Sequence, residues 1–200
     1  MNFLAHAYLS FGYKEVLVGN MISDFVKGKA RFLFSSGIQR GISLHRLIDQ
    51  YTDTHDATRK AKEVFRSAYR LFSAPLVDIV FDHFLATDEE RFERGLKEFS
   101  RSVYATLEEY NHHLPSRFLA AFTYMKHEDW LYNYRTRAGI EKSLIGLVRR
   151  SSFYNDSTTA CNLFNEHYNY LQECYSLFFG DVKYYTKEQL RLINLDAGDQ

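Results

Sequence analysis

The chain's 200 residues fit one domain, on a scale of roughly 100–200 residues each. At 46% hydrophobic and 25% charged it can build an ordinary core. Its formal net charge of zero argues against a generic nucleic-acid binder.

In chain order, "MNFLAHAYLS" lacks the positive n-region of a signal peptide. Val16 to Val18 is the single strand-like run, and it is too short to compete with helix. In "GISLHRLIDQYT", Leu44, Leu47, Ile48 and Tyr51 recur at i, i+3, i+4 and i+7, one face of a helix. Helical spacing continues over Thr58–Phe72. "APLVDIVFDHFLA" opens at Pro75, a first-turn residue, and is apolar almost all round, the pattern of a buried helix.

Glu89–His112 reads as one amphipathic helix punctuated by Pro115, and Arg117–Tyr134, Ile140–Arg150 and Thr158–Phe179 as three more. The expectation is an all-α, single-domain helical bundle of seven to nine helices over residues 1–200, frayed in "NLDAGDQ". No apolar run approaches the roughly 18 residues a membrane span needs. Cys161 and Cys174 form no CxxC pair and imply no disulfide framework. A reducing cytoplasm is the expected compartment.

Four places carry chemistry. Asp24 sits among Met21, Ile22, Phe25 and Val26, where an ionised carboxylate is costly unless something charged or hydrogen-bonding faces it. Asp78 and Asp82, four apart in the apolar helix, project from one face, and their mutual repulsion and desolvation are relieved by a cation. His83 adds a nitrogen donor. The alternative is a pair of buried Asp–Arg contacts with Arg46, Arg59 or Arg70.

His45 and Asp49 repeat the i, i+4 spacing that lets one helix offer two ligands to one ion, although such pairs also occur as ordinary surface contacts. Asp53 and His55 lie just beyond. His6 stands alone on an apolar segment, a setting more typical of a satisfied core residue. Oxygen and imidazole donors without thiolate suit Mn²⁺, Fe²⁺, Zn²⁺ or Mg²⁺, and such a site can activate water for phosphoester hydrolysis.

The blocks "MNFLAHAYLS", "LVGNMISDFVKG", "GISLHRLIDQYTDTH" and "DIVFDHFLA" together resemble the acyl carrier protein phosphodiesterases, across residues 1–88. "MKHEDWLYNY" and "GLVRRSS" match more loosely. The family is regarded as a divergent branch of the HD-domain phosphohydrolases. The resemblance implies manganese-dependent cleavage of 4′-phosphopantetheine from a serine of holo-acyl carrier protein, an acidic partner. By position it carries over Asp24, His45, Arg46, Asp49, Asp53, His55, Asp78, Asp82 and His83.

Two departures stand out. Asp56-Ala57 occupies the place where members often have a proline, and Thr87-Asp88-Glu89 the place where a tryptophan is common.

The resulting expectation is a metal held by Asp24, His45, Asp78, Asp82 and His83. Asp82 or Asp49 serves as base, Arg46 as phosphate ligand, and His55 or His6 as proton donor. From Lys27 to Arg70, ten Lys/Arg against four Asp/Glu give a local excess of six positive charges, suited to steering an acidic partner. A nucleotide-directed HD-type enzyme and a non-catalytic helical binding protein are the rival readings.

Overall fold

The computed structural model describes residues 1–151 and 153–196, the last three through their backbone only. A short helix α1 (Phe3–Tyr8) leads into α2 (Lys14–Ile22), two 3-10 turns (Ser23–Phe25 and Gly28–Leu33) and the 19-residue α3 (Ser36–Thr54). Next come α4 (Asp56–Tyr69), α5 (Ser73–Thr87), α6 (Leu96–Glu109), α7 (Ser116–His127) and α8 (Trp130–Asn133). Helices α9 (Arg137–Arg150), α10 (Ser157–Glu166) and α11 (Tyr168–Asp196) complete the order. The described residues are all-α, without a strand.

The segmentation is finer than apolar spacing suggests, with eleven α-helices rather than seven to nine among the described residues. The expected Glu89–His112 helix is broken before Leu96 by Gly95 at φ +80°, a conformation cheap only for glycine. Arg117–Tyr134 splits at Asp129, which adopts the left-handed conformation. Thr158–Phe179 divides at His167 without Gly or Pro. There the Tyr168 ring packs against Phe84 and Phe164, and its hydroxyl lies 3.0 Å from His83 Nε2, so tertiary contacts hold the corner. Helix α11 runs to Asp196, and residues 197–200 of the expected frayed end lie outside the described residues.

Two contacts organise the polar residues around His45. Helices α2 and α3 make the most extensive helix–helix contact of the fold, and they meet backbone to backbone. A Cβ added to Gly19 would fall 2.8 Å from Gly41 Cα, and one on Gly41 the same distance from Gly19 Cα. Only paired glycines permit that approach, and it sets Asn20 and Asp24 against the His45 face of α3.

The second contact belongs to helix α5, which is buried almost throughout, as its composition requires, with Leu76, Val77, Val80, Phe81 and Leu85 inaccessible. It carries Asp82 to the start of α1. That helix's own N-cap, Asn2, makes no side-chain cap. The Asp82 carboxylate instead accepts the backbone N–H of Leu4 at 2.7 Å and of Ala5 at 3.1 Å. A carboxylate is favoured at a helix N-terminus by the unpaired N–H groups and the helix dipole. Long-range capping thus fixes α1, and with it His6.

Candidate metal centre

Asn20 is the hinge of the site. It is wholly buried, and its side-chain NH₂ donates to the His6 carbonyl at 2.8 Å and the Ser10 hydroxyl at 3.1 Å. Its side-chain oxygen therefore faces His6 Nδ1, 2.8 Å away, which must donate. Its backbone carbonyl accepts from His45 Nδ1 at 2.7 Å. One residue thus holds the Nδ1 of both imidazoles, with Nε2 of each turned outward.

The two rings stack with centroids 3.9 Å apart and planes 15° from parallel. His6 Nε2 lies 3.2 Å from Asp49 Oδ1. His45 Nε2 lies 3.1 Å from Asp49 Oδ2 and 3.3 Å from Asp24 Oδ1. His6, His45 and Asp49 each offer a donor atom within 4.8 Å of the others. Asp24 extends the group to solvent. Its side chain is 74% exposed and that of Asp49 40% exposed. The apolar setting expected around Asp24 belongs to its neighbours; Asp24 itself forms the accessible rim.

The electrostatics fit a cation. Burial, then the stacked His45, lowers the pKa of His6 to about 4, so the ring is neutral near pH 7. With Nδ1 spent on Asn20, its buried Nε2 presents a lone pair to a carboxylate oxygen, acceptor against acceptor, and has no hydrogen-bond partner among the described residues. A positive ion between them satisfies both. Burial disfavours charge on His45, yet hydrogen bonds to Asp24 and Asp49 outweigh it and raise its pKa to about 9. Burial likewise opposes ionisation of Asp49, but its hydrogen bond to His45 and the nearby Met1 ammonium hold it well below the usual carboxylate range. A pocket that protonates an imidazole so strongly is one that accommodates positive charge, and neutral imidazole with carboxylate oxygen is a donor set for Mn²⁺, Fe²⁺ or Zn²⁺.

The remaining sequence candidates divide. Asp78 borders the centre. Its Oδ1 lies 2.9 Å from the Met1 α-ammonium, which is also 3.6 Å from Asp49 Oδ1. Asp82 is committed to the α1 backbone, and burial pushes its pKa up to about 7 against the opposing Leu4 and Ala5 N–H bonds. Arg46 is exposed on α3 beside His45 and has no ion-pair partner among the described residues. The alternative, pairing of Asp78 and Asp82 with arginine, does not occur among the described residues.

Three candidates are not brought to the cluster. His83 projects elsewhere, with Nδ1 donating to the Tyr134 carbonyl at 2.6 Å and Nε2 facing the Tyr168 hydroxyl. His55 is the N-cap of α4, accepting the Ala57 N–H at 3.2 Å, and its Nε2 meets Asp181 of α11 at 3.3 Å. Asp53 forms a surface pair with Lys62 at 2.7 Å.

The model of the family described as acyl carrier protein phosphodiesterase matches residues 1–182. The chain belongs to the acyl carrier protein phosphodiesterase family. Relatives of that name are 32% identical in Photorhabdus laumondii subsp. laumondii, over 75% of this chain and 77% of theirs. In Yersinia pestis the figure is 29%, and in Enterobacter sp. (strain 638) 30%, each over 90% of this chain and 94% of the relative. No solved structure matches. The family match extends past the motif-bearing first 88 residues into α11, whose Phe178 packs on His55 and Phe81. No described helix is long and apolar enough to cross a membrane.

Proposed function

We propose that the protein hydrolyses the phosphodiester joining 4′-phosphopantetheine to the serine of holo-acyl carrier protein, giving apo-carrier and free 4′-phosphopantetheine. The observation that carries this reading is the convergence of His6, His45, Asp49 and Asp24, within a chain of this family, on one solvent-accessible point. In this reading His6, His45 and Asp49 hold a divalent cation, with Asp24 at its open rim. Two imidazoles favour Mn²⁺, Fe²⁺ or Zn²⁺ over Mg²⁺. The histidine–aspartate pair on one helix is in keeping with an HD-like phosphohydrolase.

Such an ion supplies Lewis acidity toward a phosphoryl oxygen and acidifies water. The chain supplies the rest. Asn20 holds both imidazoles with Nε2 outward. Asp24, exposed and hydrogen-bonded to His45, stays ionised and can accept the proton of the attacking water. Arg46 offers a planar fork to a non-bridging phosphoryl oxygen. Water's oxygen bonds to phosphorus, the bond from phosphorus to the serine oxygen breaks, and that oxygen takes up a proton. The free thiols of Cys161 and Cys174 suit a reducing cytoplasm.

The test follows carrier mass on incubation with the Mn²⁺-loaded protein. Loss of the phosphopantetheine mass, abolished by chelator, supports the reading. An unchanged mass with stoichiometric metal bound refutes the substrate, and an unchanged mass without bound metal refutes the metal-dependent reaction.

A further inference from the structure

The ten cations of residues 27–70 are not equivalent in the fold. Arg59, Lys62 and Arg66 on α4 are paired with Asp56, Asp53 and Glu63. Lys27, Lys29, Arg31, Arg40, Arg46, Lys60 and Arg70 have no such partner among the described residues. Three of these seven, Lys27, Lys29 and Arg31, fall within the short segment Lys27–Leu33, which holds no acidic residue.

That segment is unusual in other ways. Its six-residue 3-10 turn has no buried residue. Phe32 is 59% and Leu33 86% exposed, and the Arg31 guanidinium lies 4.7 Å from the Phe32 ring centroid. The turn packs against α3, the helix that carries His45 and Asp49. It starts four residues after Asp24, which places Gly28 within about 14 Å of the metal-centre rim even if the chain were fully extended. Val26 is buried and Phe25 packs on Phe118, so the segment is anchored at the site end. Adjacent exposed apolar side chains beside uncompensated cations fit an interaction surface. The rim charges match an acidic partner and set its encounter rate.

We infer that Lys27–Leu33 is the docking surface for the acidic carrier protein, with Lys27, Lys29 and Arg31 meeting its carboxylates and Phe32 and Leu33 its apolar residues. The inference rests on the proposed function, since it names how that substrate is gripped. Docking beside Asp24 brings the carrier's modified serine to the open side of the cluster, while the buried histidines stay out of contact with protein surface. Arg46, exposed on α3, is left free for the phosphoryl group.

The experiment compares the full-length Mn²⁺-loaded protein with Lys27→Glu/Lys29→Glu/Arg31→Glu and, separately, Phe32→Ala/Leu33→Ala. All five positions are at the surface and outside the metal centre, and bound metal and Tm report integrity. On holo-carrier, KM should rise about 10-fold or more in each variant with kcat within about 2-fold, as loss of rim contacts predicts. The wild-type kcat/KM should fall with added salt, and the charge-reversed variant should lose most of that slope. An unchanged KM, or a fall in kcat at unchanged KM, overturns the docking surface. If the wild type leaves holo-carrier intact, the proposed function fails, and binding of labelled apo-carrier decides the surface. Binding lost in the charge-reversed variant sustains it; equal binding, or none, overturns it.

Discussion

His6 Nε2 stands 3.2 Å from Asp49 Oδ1 while the other nitrogen of the same ring is committed to Asn20. That relationship makes Asn20 a positioning residue for the whole centre, because it also fixes His45 through its carbonyl. Ligand-orienting partners of this kind are typically worth about 10–100-fold in metal affinity. Asn20→Ala should therefore weaken Mn²⁺ binding by about 10–100-fold while the protein stays folded, as isothermal titration would show. The variant keeps the backbone carbonyl that holds His45, so unchanged affinity would mean that His6 holds its orientation without the amide.

Asp82→Ala should act through stability first. It removes a buried carboxylate that accepts two backbone N–H groups across 78 and 77 residues of sequence. A hydrogen bond to a charged group contributes about 1.5–3 kcal/mol, so urea unfolding should show a loss of about 2–4 kcal/mol. Metal affinity should fall as a consequence, because α1 carries His6. Asp82→Asn keeps an acceptor and should recover part of the loss. Wild-type stability in Asp82→Ala would show that α1 needs no cap.

Gly41→Ala tests the backbone contact that builds the site. The added methyl would press hardest on the Val16 carbonyl oxygen and lie 2.8 Å from Gly19 Cα and 2.9 Å from the Asn20 nitrogen. Overpacking typically costs about 1–3 kcal/mol, and here the strain falls on the residue that orients both histidines. We expect a lower Tm together with weakened metal binding. A lower Tm with unchanged metal affinity would separate the α2–α3 contact from the centre.

How far the sequence revealed this arrangement depends on the residue. Asp24 was legible because a carboxylate among apolar side chains demands an explanation, although it proves to be the exposed rim. Helix α3 was legible from its 3.6-residue spacing, and its i, i+4 pair His45 and Asp49 indeed shares one face. Asn20 was missed. A neutral amide gives no charge signal, and its role depends on a backbone approach between Gly19 and Gly41 that spacing does not encode. His83 misled by adjacency: neighbours at i, i+1 on a helix do not face the same way, so Asp82 points to α1 while His83 points to Tyr134 and Tyr168. The local charge excess was countable, but which cations keep their charge uncompensated needed the fold.

His83 carries a pH prediction of its own. Burial lowers its pKa from the ordinary 6.5, and its Nδ1–H to the Tyr134 carbonyl opposes that only partly. Below about pH 6.5 the unfolded chain takes up a proton that the folded chain refuses, so the unfolded state binds more protons and stability falls as pH drops. Above that pH the contribution is fully present. His83→Gln keeps an amide that can serve both partners and removes the titration. Its stability should fall less steeply between about pH 6.5 and 5 than that of the wild type, measured by denaturant midpoint. Parallel curves would contradict a neutral His83.

The most direct measurement is bound metal after Mn²⁺ loading and gel filtration, compared among wild type, His6→Ala and His83→Ala, with carrier mass followed on the same samples. The account predicts stoichiometric metal and loss of the phosphopantetheine mass for the wild type. It predicts neither for His6→Ala, and retained metal for His83→Ala. Metal retained in His6→Ala but lost in His83→Ala would contradict the centre described here.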